Sequence, residues 1–285
     1  MTHAAYVTTF IASGQPIPTD ALPAGHQEWL EDGVALDVWH DAPLENPAAL
    51  QATMALSRID MITQPSAQRR KKLLIADMDS TLIEQECIDE MAAALGIKDQ
   101  IAGITARAMN GELDFKAALN ERVALLKGLR EEELQQVYDE RITLMPGAKV
   151  LAETMRANGA HLVIVSGGFT FFTALVREAL SFHEAHSNVL EIEDGQLTGR
   201  VTPPLFDSQS KLNTLNHLLA TRQLSAEDVL AIGDGANDIP MLQAAGLGVA
   251  CHAKPVVQEQ CAARLNFNDL SALLYVQGYR KGGWV

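Results

Sequence analysis

The sequence predicts an α/β protein. Its main part reads as a doubly wound, Rossmann-like parallel sheet with an inserted helical-bundle cap, and a small α+β module precedes it. Three observations carry that prediction. From residue 146 onward, short apolar runs of strand length alternate with segments of helical spacing, the rhythm of βαβ units. Three apolar runs, 73–76, 161–165 and 229–232, end abruptly in polar loops. Between the first and second of them lies a helical stretch, 84–144, inserted directly after an acidic loop.

The chain has 285 residues, enough for one large domain or two modest ones, and 47% of them are hydrophobic, enough for a sizeable core. A formal net charge of −14 argues against nucleic acid or an anionic membrane surface as a partner. An anionic substrate would then need local cations or a metal to hold it. Cys87, Cys251 and Cys261 form no C-x-x-C pair, and an odd count suits buried thiols in a reducing compartment. The start Met1-Thr2-His3-Ala4 lacks the basic and apolar regions of a signal peptide. No apolar run approaches the ~18 residues of a membrane span. These features lead us to expect a cytoplasmic protein.

Taken in order, residues 1–68 read as the small α+β module and 69–285 as the main domain. Residues 4–12 are rich in Val, Thr, Tyr and Phe and predict a strand. Residues 16–25 are loop-like, with Pro16, Pro18 and Pro23; 34–39 alternates as a short strand, and 46–62 has helical spacing. No residue of this module carries recognisable chemistry. It reads as a packing or dimerisation module, so a homodimer is expected. The basic run Arg69-Arg70-Lys71-Lys72 reads as a solvated linker into the strand at 73. Within the cap, helix ends are expected near Gly96, Gly111 and Gly128. Farther on, helices are expected at 148–158, 169–180 and 208–222. A hairpin is expected around Glu193-Asp194-Gly195-Gln196, and a fourth strand of the large sheet at 247–250.

The chemistry concentrates at the strand ends. In a parallel sheet these ends converge on one edge, where open α/β sheets bind ligands. Asp77 and Asp79 follow the first run, Ser166 and Gly167 the second, and Asp234, Asn237 and Asp238 the third; Lys211 lies in the first turn of the 208–222 helix. Two carboxylates side by side repel unless a cation lies between them or one holds a proton. They predict a hard-metal site, a nucleophile with an acid/base partner, or both. Carboxylates, a hydroxyl, glycine N–H groups and a lysine together suit Mg²⁺-assisted phosphoryl transfer. Gly167-Gly168 reads as a phosphate cradle or a tight turn, with the free N–H groups of a following helix available to an anion. In the cap, Phe115, Leu119, Arg122 and Leu126 recur at helical spacing, so Arg122 lies on an apolar stripe. Periodicity allows either a snorkelling arginine or one that closes over a ligand carboxylate or phosphate.

Asp77-Met78-Asp79-Ser80-Thr81 resembles the first motif, D-x-D-x-T, of the haloacid dehalogenase-like phosphatases. Ser166 matches the second motif of that family, Lys211 the third, and Gly233-Asp234-Gly235-Ala236-Asn237-Asp238 the fourth. Over about 72–280, including Glu86-Cys87-Ile88-Asp89-Glu90 and the run 111–129, the sequence is similar to the members acting on phosphoserine. The resemblance implies hydrolysis of O-phospho-L-serine through an aspartyl-phosphate, the last step of serine synthesis. It implies Asp77 as nucleophile and Asp79 as acid, then base. Mg²⁺ would be held by Asp77, the backbone carbonyl of Asp79, and Asp234. Ser166, Gly167 N–H and Lys211 would hold the phosphoryl oxygens, with Asn237 on the same side and Asp238 orienting Lys211 or a metal water. Glu86 would meet the substrate ammonium and Arg122 its carboxylate. Alternatives are a phosphatase or phosphotransferase for another small phosphate ester, and a non-catalytic, serine-responsive regulator.

The eight histidines form no metal-ligand spacing, and His161, His217 and His252 read as structural or surface residues. Asp89 and Glu90 read as stabilising the N-terminus of the first cap helix. Met109 and Phe115 read first as packing between cap and core, with shielding of the substrate as the alternative.

Overall fold

The computed structural model describes residues 4–109 and 112–285. The expected helix end at Gly111 lies outside the described residues. The N-terminal module comprises strands β1 (Tyr6–Ala12), β2 (His26–Glu31), β3 (Ala35–His40) and β4 (Ile59–Pro65), with helix α1 (Pro47–Leu56) between β3 and β4. The sheet is antiparallel, in the order β2-β3-β1-β4. Helical spacing over 46–62 is broken where Arg58 takes a left-handed φ of 55°. The chain then reverses, and Ile59-Asp60-Met61-Ile62 alternates as a strand paired with β1. Strand β2 goes unseen in the sequence because His26-Gln27-Glu28 is polar; it is an edge strand in which only Leu30 is buried.

This small sheet has two buried faces. Phe10, Leu36, Val38 and Met61 pack with Met54 of α1. Ile11, Leu30, Ala35 and Ile62 join the main core of the protein. The junction is polar as well as apolar. Arg69 is buried and forks onto Asp37 of β3, at 2.6 and 2.7 Å, and donates to the carbonyls of Tyr275 and Val276. Lys71 is also buried, its Nζ 2.8 Å from the carbonyl of Glu227, and Arg70 stacks on Tyr279. The basic run is therefore no solvated linker; its alternate members point inward to partners far away in sequence. Asp60 of β4 accepts from the N–H groups of Asn266, Phe267 and Asn268, binding the module to the C-terminal loops.

The large sheet begins with β5 (Leu73–Ala76), after which the cap departs as α2 (Cys87–Ala94), α3 (Lys98–Met109), α4 (Phe115–Ala124) and α5 (Glu131–Arg141). The core resumes with α6 (Ala148–Ala157), β6 (His161–Phe169), α7 (Thr170–Ala179), β7 (Glu184–Glu193), β8 (Gln196–Thr202) and α8 (Ser208–Arg222). It closes with β9 (Val229–Gly233), α9 (Ile239–Ala244), β10 (Leu247–Cys251), α10 (Pro255–Gln260), β11 (Ala263–Leu265) and α11 (Ala272–Val276). The strand order is β11-β10-β9-β5-β6-β7-β8, parallel except for the β7–β8 hairpin. No helix is long and apolar enough to cross a membrane among the described residues.

Strand β5 is central and wholly buried, which explains its unbroken apolar sequence. Leu74 and Ala76 face a layer containing Leu151, Met155, Phe172 and Leu273; Leu73 and Ile75 face Leu215, Leu218, Met241 and Val257. Because β9 and β6 flank it, three polar strand ends meet on one edge. The cap rises from that edge on a narrow neck, the bridge between Ile83 and Leu144. It is held a second time by the hairpin: Gly128 N–H donates to Leu197 O, Leu197 N–H to Leu129 O, and Glu131 N–H to Gly195 O.

Removing one partner of the Asp37–Arg69 pair leaves a buried charge unpaired. Arg69→Met is expected to lower the free energy of unfolding by about 3–5 kcal/mol, measured by urea denaturation. A loss under about 1 kcal/mol would mean that the Asp37–Arg69 pair contributes little to holding the module on the core.

Candidate active site

Asp77 is the first residue beyond β5. Its N–H continues the sheet ladder to Ile232 O, so the carboxylate is delivered at a fixed point. Oδ1 accepts from Met78 N–H at 2.7 Å, and Oδ2 lies 2.8 Å from Lys211 Nζ. Lys211 is completely buried and reaches Asp238 Oδ1 at 2.7 Å on its other side. Asp238 Oδ2 accepts from Gly235 N–H. Gly233 has to be glycine here, since a Cβ would lie 2.5 Å from the Asp238 carboxyl carbon. Burial, then the Asp238 charge, push Asp77 well above the usual carboxylate range, against the pull of Lys211. For Lys211 burial works towards deprotonation, but Asp238 and Asp77 outweigh it and hold the ammonium charged.

Asp79 faces the cap. Its Oδ1 accepts from Cys87 N–H at 2.8 Å, at the start of α2, and its Oδ2 from Ser166 Oγ at 3.1 Å. Burial raises its pKa, opposed by those hydrogen bonds. The two aspartates thus diverge, one onto Lys211 and one onto the cap. The turn that follows carries Ser80 at φ 54°, a left-handed conformation uncommon outside glycine. It directs Thr81 back, so that Thr81 Oγ1 donates to Asp234 Oδ1.

Asp77, Asp234 and Asp238 lie with carboxylate oxygens within 4.8 Å of one another. One buried ammonium and the half-exposed Lys254, 3.7 Å from Asp234 Oδ2, face these three carboxylates. An all-oxygen donor set with uncompensated negative charge suits a hard divalent cation. The carboxylate of Asp79 lies outside this cluster, which is compatible with only its backbone carbonyl serving as a ligand. Asp238 was expected to orient Lys211 or a metal water, and it is found on Lys211.

Ser166, Gly167 and Gly168 are not a turn. Neither glycine takes a left-handed φ, and β6 continues through them to Phe169 with a break in register against β7. The bulge pushes the segment into the cleft. A Cβ on Gly168 would sit 2.6 Å from Asp79 Oδ2, so no side chain fits. Helix α7 starts only at Thr170, with Phe169 as its N-cap, so its N-terminus is set back from the glycines.

Of these, Asp77, Asp79, Gly167, Gly168 and Asp234 line one cavity of about 560 Å³ with Glu86, Arg122 and Asn237, whereas Ser166, Lys211 and Asp238 are fully buried and do not line it. Glu86 accepts from Ser80 Oγ at 3.1 Å; burial and the charges of Asp79 and Asp234 push it up to about 7. Arg122, on α4, spends one N–H on the carbonyl of Ala118, and no carboxylate among the described residues lies within 4 Å of it. Burial lowers its pKa. Phe115 lines the cavity near Gly167 and does not simply pack cap on core. The side chain of Met109 is outside the described residues. Lys254 and Val256 also line the cavity and were missed. Their signal was available: they follow the fourth strand, β10, at the same sheet edge.

The profile of the haloacid dehalogenase-like hydrolases matches residues 74–243. The chain belongs to that family. The phosphoserine phosphatase of Haemophilus influenzae is 48% identical over 202 residues, 71% of this chain and 64% of that protein. Across three such relatives the alignment spans 57% to 64% of their length. Among solved structures, a HAD family hydrolase from Salmonella enterica serovar Typhi superposes with a TM-score of 0.86 at 33% identity, covering 95% of this chain and 98% of that one. A phospho-aspartyl intermediate analogue of phosphoserine phosphatase superposes with a TM-score of 0.67 at 36% identity, covering 72% and 98%.

A ligand at a hundred times its Kd stabilises by about 2.7 kcal/mol. Adding Mg²⁺ at that level to EDTA-treated protein should raise the thermal unfolding midpoint by about 5 °C. Asp234→Asn should abolish the shift. An unshifted wild-type midpoint would remove the cation site.

Proposed function

We propose that this protein hydrolyses O-phospho-L-serine to L-serine and phosphate through an aspartyl-phosphate on Asp77, with Mg²⁺ as cofactor. The observation that carries the reading is the placement of Glu86 and Arg122 in one cavity with the Asp77/Asp79 pair. A carboxylate and a guanidinium without an acidic partner suit the ammonium and carboxylate of an amino acid. A neutral sugar phosphate would leave both charges without a counterpart.

In this reading an Asp77 carboxylate oxygen attacks phosphorus as the bond to the seryl oxygen breaks. Asp79, protonated at the outset, gives its proton to that oxygen, and serine leaves. Water then attacks phosphorus while Asp79 takes its proton. The bond to Asp77 breaks, and phosphate departs with both aspartates restored. Desolvation favours the acid form of Asp79 at the start, and Ser166 and Cys87 N–H favour the carboxylate that follows. Lys211 balances charge beside Asp77 and, with Ser166 and Gly167 N–H, meets the equatorial oxygens, where negative charge is spread in the transition state. Asn237 lines the same side. Mg²⁺, held by Asp77, Asp234 and the Asp79 carbonyl, would supply further neutralisation of the phosphoryl oxygens. The three buried free cysteines suit a cytoplasmic setting.

Two substitutions test the reading. Asp77→Asn should lower phosphate release from phosphoserine about 10³-fold or more with the fold intact by circular dichroism; wild-type turnover would exclude the covalent route. Arg122→Ala should cost about a hundredfold in kcat/KM for phosphoserine and little for phosphoethanolamine, which lacks the carboxylate. Equal losses on both would show that Arg122 does not read the amino acid.

A further inference from the structure

Asn188 lies on β7, outside every motif that marks the site, and is almost wholly buried. All its polar atoms are engaged. Its Nδ2 donates to Gly167 O at 2.9 Å and to Phe206 O at 3.1 Å, and its Oδ1 accepts from Phe206 N–H at 2.7 Å. The Phe206 N–H can only donate, so the amide orientation follows from the network.

The peptide unit joining Gly167 to Gly168 is therefore gripped at both ends. Asn188 holds its carbonyl, and its N–H donates to Ser166 Oγ at 2.8 Å. Ser166 Oγ in turn donates to Asp79 Oδ2. On the other side, Phe206 immediately precedes Asp207, the N-cap of α8, whose side chain accepts from Ser210 N–H just before Lys211. One buried amide thus ties the Ser166–Gly168 bulge to the start of the helix that carries Lys211. Glycines at 167 and 168 leave this segment with no side chains to fix it, so an external clamp is required.

We infer that Asn188 is a positioning residue for the phosphoryl-binding cradle. It fixes the Gly167 peptide and, through it, the Ser166 hydroxyl, and holds that pair in register with Lys211. The inference rests on the proposed function, in which Ser166, the Gly167 N–H and Lys211 receive the phosphoryl oxygens. A shift of about 1 Å in such donors can cost on the order of a hundredfold in rate.

The test is Asn188→Asp, which keeps the shape and the acceptor for Phe206 N–H but removes both donors. Inorganic phosphate and L-serine are used as competing inhibitors, with turnover of p-nitrophenyl phosphate and of phosphoserine measured beside them. The expected result is a kcat about tenfold to a hundredfold lower on both substrates and a phosphate Ki about tenfold or more higher. The L-serine Ki should change by no more than about twofold, because Glu86 and Arg122 do not depend on the clamp. A purely structural role would shift both inhibition constants together or neither, and would overturn the assignment. Asn188→Ala carries the test if the buried carboxylate prevents folding; failure of both variants to fold would make Asn188 a folding residue and also overturn it. Should the wild type turn over p-nitrophenyl phosphate and not phosphoserine, the substrate assignment falls. The phosphate Ki and kcat of the variants would still judge the clamp.

Discussion

The buried Lys211 ammonium between Asp77 and Asp238 is the interaction on which the site depends. Taking three charges out of water costs several kcal/mol per ion after relaxation. Such a group persists only if each charge is met by partners of good geometry. Here Met78 N–H serves Asp77, Gly235 N–H serves Asp238, and the two carboxylates meet the one ammonium at 2.7 and 2.8 Å. The three residues come from the ends of β5 and β9 and the first turn of α8. A parallel sheet with β9 beside β5, and α8 packed on the same face through Leu215 and Leu218, brings them together. The apolar faces of Leu73 and Ile75 under Leu215 and Met241 set that packing. The fold thus holds the charges in place, and the loss of any one would leave the others buried and unmatched.

From this cluster the different surroundings of Asp77 and Asp79 follow. At i and i+2 on an extended chain, two side chains lie on the same face and would compete for one environment. The structure prevents that by ending the strand at Ala76 and turning sharply at Ser80. Asp77 remains with the cation-rich side and Asp79 turns between the cap and β6, where its partners are Cys87 N–H and the Ser166 hydroxyl. Both pKa values rise through burial, but only Asp77 has an ammonium in contact. Two like groups with different surroundings are the physical basis on which the proposed mechanism gives one a nucleophile's work and the other a proton's.

Much of this was legible in the residues. Strand β5 is buried on both faces, so it reads as a continuous apolar run, and its abrupt polar end marks the site. The spacing of α8 placed Lys211 in its first turn. The parts that were misread share a cause: their partners lie far away in sequence. Arg69 and Lys71 look solvated until Asp37 and Glu227 are seen beside them. Ile59-Asp60-Met61-Ile62 fits a helix or a strand by period, and pairing with β1 decides it. Glu86 and Arg122 carried meaning only through family resemblance, because periodicity left Arg122 open. Asn188 sits mid-strand in a polar stretch with no loop or glycine beside it, so nothing local distinguishes it.

The β7–β8 hairpin gives the site a common reference. Through Asn188 it holds the bulge of β6 against the start of α8. Farther along it, Gly195 and Leu197 hold the cap at Gly128, Leu129 and Glu131. Gly199 meets the cap so closely that a Cβ there would lie 3.0 Å from the Lys127 side chain. Arg122 stands near the end of α4, before this attachment. The groups that the proposed function assigns to the phosphoryl end and to the amino-acid end are therefore both fixed to one hairpin, although they come from opposite sides of the cleft. In the proposed reading, a substrate spanning both ends would have to match the distance this hairpin sets.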